Sequence, residues 1–534
     1  MPENTLGSTP HIVLGLYLVL LLVFGIQGYR RRMAESEEDY YLAGRSQGWV
    51  VTSLTIMATF FSSFALLGAP GMVYRDGIIF SLFSLNVPLA GAAIYFLGSR
   101  IRQIGRDNGY VTPADMIATH YGSPLTLRLL VALVGLLYAV PYVVIQIQAG
   151  GILSAQLFPG RDAFEIGAVL LALITMLYIM VGGMRSVAWT DVVQGGLLVG
   201  GMLLAGICAV AVLGGIGPFF AAVAELPPKS LSAPGTTGRW TPEMLFTASV
   251  FASLGSMIQP AQWMRFYAAK SNAVLRRSAL IFAVVLTLCF FFGVMLVGLG
   301  GQVLYPLVDA NGFYHMNTAG SLLPHPAVGL TPGSFDQILV VVLKNHLPEL
   351  LGSFGAVLAA LILVAIMAAA MSTADSNLHA LSALLTHDVY DQFLRPQASQ
   401  RERTWVGRAI IAFATLLALA LVLISRHSES NPLGMIVVLG LMAIAFSTQL
   451  LPMTLDMLYL KWGTRQGAIA GLLVGLSIIF ILSPFFSMLA GDTWAGTIVL
   501  MKQTFDVGAW ALAGNAFAFF FVSQLTRVTA ALRA

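Results

Sequence analysis

The chain returns repeatedly to stretches of roughly 20 apolar residues, the length that crosses a bilayer core of about 30 Å as a helix. Thirteen such stretches are legible: 11–29, 49–74, 78–99, 126–158, 163–182, 187–214, 243–267, 274–302, 350–390, 405–425, 433–458, 464–487 and 507–528. Within a bilayer, backbone N–H and C=O groups must be satisfied inside the segment, so each stretch is expected to be a helix. The composition agrees: 10% of residues are charged, against about 25% in a soluble domain. No segment is left over for a separate soluble domain. The expectation is an all-α integral membrane protein of about 13 transmembrane helices, with the lipid bilayer as partner and no nucleic acid. The net charge of +4 then reflects loops on one membrane face.

Charge placement gives an orientation. With the N-terminus outside and the spans alternating, the outward loops hold Arg75, Arg161, Lys229, Arg239, Lys344, Arg426 and Lys502. The other 21 of the 28 Lys and Arg fall inward, among them Arg30, Arg31, Arg32, Arg100, Arg102, Arg276, Arg277, Arg401 and Arg403. Such a bias predicts a multi-pass protein of the cell (inner) membrane with its C-terminus in the cytoplasm. No Lys or Arg precedes His11, and "RRR" follows the first stretch, so an uncleaved anchor is expected rather than a signal peptide. Cys208 and Cys289 lie mid-span and read as core packing. His315 and His325 share a long outward loop, but their spacing matches no standard metal-ligand pattern.

Polar groups inside apolar helices carry the functional signal. "AAAMSTADSN" (368–377) ends a run without charge. At about 100° per residue, Ala369, Ser372, Asp375, Ser376 and His379 share one face, with Thr373 beside it. An ionisable group in a membrane span faces a cavity or a partner by default. Clustered hydroxyl and carboxylate oxygens suit a hard cation such as Na+. The competing reading is hydroxyls bonded back to helix carbonyls, with Asp375 meeting another helix. The second stretch offers a partner: "VTSLTIMATFFSSFALLGAPGMVYRDG" (51–77) is interrupted at Thr59, Ser62 and Ser63, then by Gly68, Pro70 and Gly71. Unwound backbone of this kind lines binding sites in secondary transporters. A Pro-kinked helix packed by small residues remains the alternative. Asp191, in "GGMRSVAWTDVVQGG" (182–196), opens the sixth span at a depth matching Asp375. It reads either as a site carboxylate or as a helix-start carboxylate.

Taken together, the motifs resemble the sodium:solute symporter family, which includes proline, pantothenate, monocarboxylate, sialic-acid and glucose carriers. The resemblance rests on "DYYLAGRS" (39–46), "GAPG" (68–71), "GGMRSVAWTDVVQG" (182–195), "QPAQWMRFYAAKS" (259–271), "MSTADSNLHALSALLTHDVY" (371–390) and "LYLKWGTRQGAIAGLLVG" (458–475). It implies a five-plus-five inverted-repeat core, the LeuT fold. Residues 1–48 would then form a peripheral helix and linker, 49–214 the first repeat, 215–458 the second repeat with long outer loops, and 459–534 two peripheral helices. It also implies a main Na+ site of the Ala58, Phe61 and Ala369 carbonyls with the Ser372 and Thr373 hydroxyls. Some members add a second sodium; its matching positions are Asp191, Ser372, Asp375 and Ser376, for a second cation or a proton. Asp375 departs from those members, which have a hydroxyl there. Phe60 departs from proline carriers, which have an essential aspartate there.

The function these readings imply is Na+-coupled uptake of a small organic solute, with Na+ as the only cofactor. "TFFSSFALLGAPGMVY" looks most like the monocarboxylate branch, so a small carboxylate or an amino acid is expected. Phe60, Phe61, Ser62, Ser63, Phe64, Gln148 and Gln259 are expected around the solute, with an anionic group on N–H groups freed at the break. Gln146 and Gln148 serve equally well as interhelical hydrogen bonds. A proton-coupled symporter and a transporter-like sensor module are the alternatives. No HExxH or GxSxG pattern supports an enzyme, and no obligatory protein partner is evident.

Overall fold

The computed structural model describes residues 6–30, 37–426 except 124, 159, 161, 310 and 319, then 435–483 and 501–533. Arg31, Arg32 and Arg161 of the charge count lie outside the described residues, as does the side chain of Arg185. Among the described residues the elements are helices, in chain order α1 (Thr9–Arg30), α2 (Trp49–Phe60), α3 (Phe64–Asp76), α4 (Ile78–Asp107), α5 (Pro113–His120), α6 (Thr126–Leu157), α7 (Ala163–Met180), α8 (Ser186–Val212), α9 (Pro242–Ile258), α10 (Pro260–Ala268), α11 (Asn272–Leu304), α12 (Gly333–Leu394), α13 (Gln400–Arg426), α14 (Ile436–Thr448), α15 (Leu451–Leu460), α16 (Arg465–Ile481) and α17 (Val507–Arg533). Eight are long and apolar enough to cross a membrane, and eleven spans result if each bent pair counts as one. The first and twelfth apolar stretches correspond to shorter apolar helices.

Three pairs are bent: α2 and α3 by 59°, α9 and α10 by 52°, α14 and α15 by 44°. The α2/α3 break falls at Phe61, whose ψ of 79° leaves the helix. Two glycines let neighbours close on α3. A Cβ on Gly68 would meet Val437 Cγ2 at 2.7 Å, and one on Gly71 would meet the Phe335 carbonyl oxygen at 2.8 Å. The α9/α10 break falls at Gln259, extended at φ −62°, ψ 149°, with Pro260 opening the next helix. Pro fits there because a first-turn N–H has no helical partner to lose.

The long outer segment 303–349, expected as loop, is partly helical. Its residues Ile338–Leu343 form buried helix, and the chain then bends at Gly352, φ 59°. Six apolar residues are too few to span a bilayer, which is why the span length alone leaves them in a loop. Segment 215–242 likewise holds short helices, Ile216–Ala224 and Pro228–Leu231.

One end of the bundle collects cations. Arg102 hydrogen-bonds the Ala269 and Lys270 carbonyls, Arg277 lies over Trp49 and Arg100 over Tyr459. We refer to this end as the basic face. There the residues before α2 pair with the end of α10, through Gln47 N–H to the Ala268 carbonyl at 3.1 Å and Lys270 N–H to the Gln47 carbonyl at 2.9 Å. The opposite end carries Arg75 and Arg239 beside Asp76 and Trp240.

Candidate functional site

The last turn of α2 loses a helical hydrogen bond at Ala58. Its carbonyl would accept from the N–H of Ser62, but that N–H bonds Phe60 instead, at 3.2 Å. Two hydroxyls from α12 meet the freed oxygen: Ser372 Oγ and Thr373 Oγ1 each donate to it at 3.0 Å. Ser372 Oγ also lies 3.1 Å from the Ala369 carbonyl. Four of the five groups expected at a sodium site therefore converge, all buried. Phe61, the fifth, is the residue at the break, so its carbonyl leaves the helical ladder. No general rule of helix geometry requires α12 to present two hydroxyls to a frayed α2; the pairing is a property of how these helices pack.

One turn further along α12 lies a second buried cluster. Asp191 and Ser376 come together as the spacing suggests, but through a cation that the span count placed among inward loops. Arg265 of α10 is 1% exposed. Its Nη2 donates to Asp191 Oδ2 at 3.0 Å and to Ser376 Oγ. Its Nε donates to the Thr55 carbonyl and its Nη1 to the Ala261 carbonyl, both at 3.2 Å. Asp375 Oδ2 accepts from Tyr178 of α7, and Asp375 Oδ1 lies 3.0 Å from Ser376 Oγ. Thr59 Oγ1 is 3.1 Å from Ser376 Oγ. Asp191 Oδ1 has no hydrogen-bond partner among the described residues. His379, next on the same face, packs against the paired rings of Tyr40 and Tyr41 at 5.4 and 5.3 Å. The signal for Arg265 was present in the sequence: an arginine inside apolar stretch 243–267. Tyr178 carried no comparable signal.

The solute residues divide. A cavity between α2, α3, α6 and α9 is bounded by Phe60, Phe64, Tyr138, Tyr142 and Gln259, with Asn86, Ser256 and Phe290 and no charged side chain. Phe61 packs on Phe290 at 5.6 Å, and Ser62 Oγ lies 3.5 Å from Tyr142 OH. Ser63 instead binds Gln146, whose Oε1 accepts from Ser63 Oγ at 2.7 Å and Ser63 N–H at 3.2 Å. Gln146 is thus an interhelical bond. Gln148 lines a separate cavity with Gln337 and Arg426, because two residues along a helix turn a side chain about 200°. The expectation of unpaired N–H groups at the break is corrected. Ser62 N–H bonds the Phe60 carbonyl, Ser63 N–H bonds Gln146, and Phe64 N–H bonds Ser62 Oγ at 3.1 Å.

Elsewhere, His315 and His325 meet edge to face, with ring centroids 5.8 Å apart. Among the described residues, the cluster of three possible metal-ligating groups is Asp115, His387 and Asp388. It already holds a cation: Arg128 is 2.8 Å from Asp115 and also pairs with Asp388. Cys208 and Cys289 are free and buried.

The chain is thus a many-helix apolar bundle with bent helix pairs and buried polar clusters at its centre, the architecture of a membrane-spanning protein. Comparison with known proteins makes this specific. The model of the sodium:solute symporter family matches residues 40–475, and the chain belongs to that family. It is similar to the sodium/proline symporter of Escherichia coli (strain K12), 28% identical over 490 residues covering 90% of this chain and 88% of that protein. It is also similar to the high-affinity proline transporter PutP of Bacillus subtilis (strain 168), 28% identical over 469 residues covering 86% and 89%. In fold it resembles a Na+-coupled sialic acid symporter solved in a substrate-bound outward-open state, with TM-score 0.72 and 21% identity over 97% of this chain and 98% of that one. It also resembles MhsT in complex with L-phenylalanine, with TM-score 0.50 and 13% identity over 88% and 98%. The fold is that of the LeuT-type transporters. These proline-carrying relatives turn the substrate expectation away from the monocarboxylate branch.

Proposed function

We propose that this protein is a Na+-coupled symporter that takes up a small amino or imino acid by alternating access. The observation that carries the reading is the Ala58 carbonyl, freed by the α2/α3 break and met by both Ser372 and Thr373 at 3.0 Å. The donor set fits Na+: backbone and hydroxyl oxygens, buried, with no competing ammonium among them. Ala58, Phe61 and Ala369 carbonyls with Ser372 and Thr373 hydroxyls would hold the ion. Bound Na+ supplies a positive charge that ties the frayed end of α2 to α12. To accept it, Ser372 and Thr373 turn their hydroxyl protons away from Ala58 and offer lone pairs. Residues 49–214 and 215–458 serve as the two inverted repeats, and the break in each opens on the central cavity.

The solute sits against Phe60, Phe64, Tyr142 and Gln259, with Phe61, Ser62 and Ser63 on the break behind it. Its carboxylate displaces Ser62 Oγ from the Phe64 N–H, so anion binding and hydrogen-bond exchange at the break are one event. The amino acid class draws support from the proline-carrying relatives. The basic face lies in the cytoplasm and the N-terminus outside, by the bias in Lys and Arg. The deciding experiment is uptake into proteoliposomes across a panel of amino acids, imino acids and small carboxylates, with and without a Na+ gradient. Uptake of an amino or imino acid that collapses without Na+ is the expected result. Na+-independent uptake, or uptake of carboxylates alone, would overturn it.

A further inference from the structure

We propose that Arg265 stands where a second cation would bind, so that this symporter carries a single Na+ per solute. The inference deepens the proposed function and rests on its main sodium site. The family resemblance assigns a second sodium to Asp191, Ser372, Asp375 and Ser376, and the geometry does not fit one. Ser372 Oγ is committed to the main site, 3.0 Å from the Ala58 carbonyl. Asp191 Oδ2 and Ser376 Oγ both accept from the Arg265 guanidinium. Asp375 accepts from Tyr178 on one oxygen and lies against Ser376 on the other. Asp191 Oδ1 is the one oxygen of the set without a partner among the described residues. One oxygen is far short of the several that a hard cation requires.

Charge gives an independent argument. With both Asp191 and Asp375 ionised, the buried set holds two negative charges against the one positive charge of Arg265. The remainder is one negative charge, and Asp375 lies about one turn from Ser372 on the same helix. A single Na+ beside Ser372 brings the set to neutrality. A second would leave an uncompensated positive charge in a buried place, which is costly. Arg265 is not a mobile ion: the Thr55 and Ala261 carbonyls hold its other nitrogens, and its planar fork serves several acceptors at once. The positive charge on the carboxylates therefore arrives tethered to α10, while the one on Ala58 comes and goes.

The test counts ions on purified protein by equilibrium binding of radioactive Na+, without transport. The wild type should bind one Na+ per chain with a Hill slope of about 1, set by a single site. Arg265→Gln leaves two carboxylates without their guanidinium and should bind a second Na+. Arg265→Lys, which keeps the charge, should still bind one. Asp375→Asn should weaken the single Na+ about tenfold through the lost charge. Two Na+ per wild-type chain would overturn the proposal, and so would an unchanged count in folded Arg265→Gln. Should that variant not fold, the wild-type count still decides. Binding of no Na+ at all by the wild type would sink the main-site reading itself, and the one-ion count with it.

Discussion

The two broken spans α2/α3 and α9/α10 handle the same problem differently. Each ends a half-helix inside the protein, where last-turn carbonyls and first-turn N–H groups need partners. At α2/α3 the chain turns through Phe61, Ser62 and Ser63, and among the described residues the Ala58 carbonyl is met by the Ser372 and Thr373 hydroxyls of α12. At α9/α10 the break closes on itself: Gln259 caps the Ala261 N–H with its own side chain at 3.3 Å. The half-helix that follows then reaches out. Gln262 Nε2 donates to the Ile56 carbonyl at 3.0 Å, and Arg265 to Thr55, Asp191 and Ser376. On the proposed reading, one break is left for a partner that can depart, and the other carries a tethered arginine across to it. Self-capped backbone suits a rigid arm, and frayed backbone suits a site that must open and close.

Four experiments strain this contrast, from the largest expected effect to the smallest. Removing the permanent cation should cost most. Arg265→Gln leaves Asp191 buried without its partner and should lower stability in low Na+ by about 3–5 kcal/mol. Thermal unfolding in detergent measures it, and adding Asp191→Asn should recover part of the loss. A drop in Tm no larger than that of an ordinary surface substitution would show that the arm is not held by charge. Next comes the frayed break. Ser372→Ala with Thr373→Ala should raise the Na+ concentration needed for uptake at least tenfold, about 1.4 kcal/mol or more, while Tm in the absence of Na+ falls much less. Unchanged Na+ dependence in a folded double variant would remove the sodium from this break. At the self-capped break, Gln259→Ala loses a cap worth about 1 kcal/mol and, because Gln259 also borders the solute cavity, should weaken solute uptake while Na+ binding measured without solute stays unchanged. A shift in that Na+ binding would mean that the two breaks are not distinct. The smallest effect is local. Cysteine in place of Ser62 should react with a thiol reagent more slowly when solute is saturating, with little change in stability. Equal labelling with and without solute would place the solute away from Phe60 and Tyr142.

Much of this was written in the chain itself. Apolar stretches of span length, basic residues between alternate pairs, and polar residues at 100° spacing on 369–376 depend only on local order along one helix. So do the interruptions at 61–71 and at Gln259-Pro260. Family membership followed from short motifs that survive in sequence. What the chain could not disclose concerns pairs far apart in it. Gln146 and Gln148 are alike in type and two residues apart, yet one closes on Ser63 and the other faces a different cavity; only the rotation of α6 against α3 separates them. Ile338–Leu343 were too short to register as a span, and it is packing that buries them. The N–H groups of the broken backbone were expected to be free, and in the fold Gln146 and Ser62 side chains fill those of Ser63 and Phe64. Arg265 sits 74 residues from Asp191 and 111 from Ser376. Sequence could say that a buried arginine must have partners, because an unpaired charge there is too costly. Which carboxylate it meets depends on three helices crossing at one depth, and only the tertiary structure decides that.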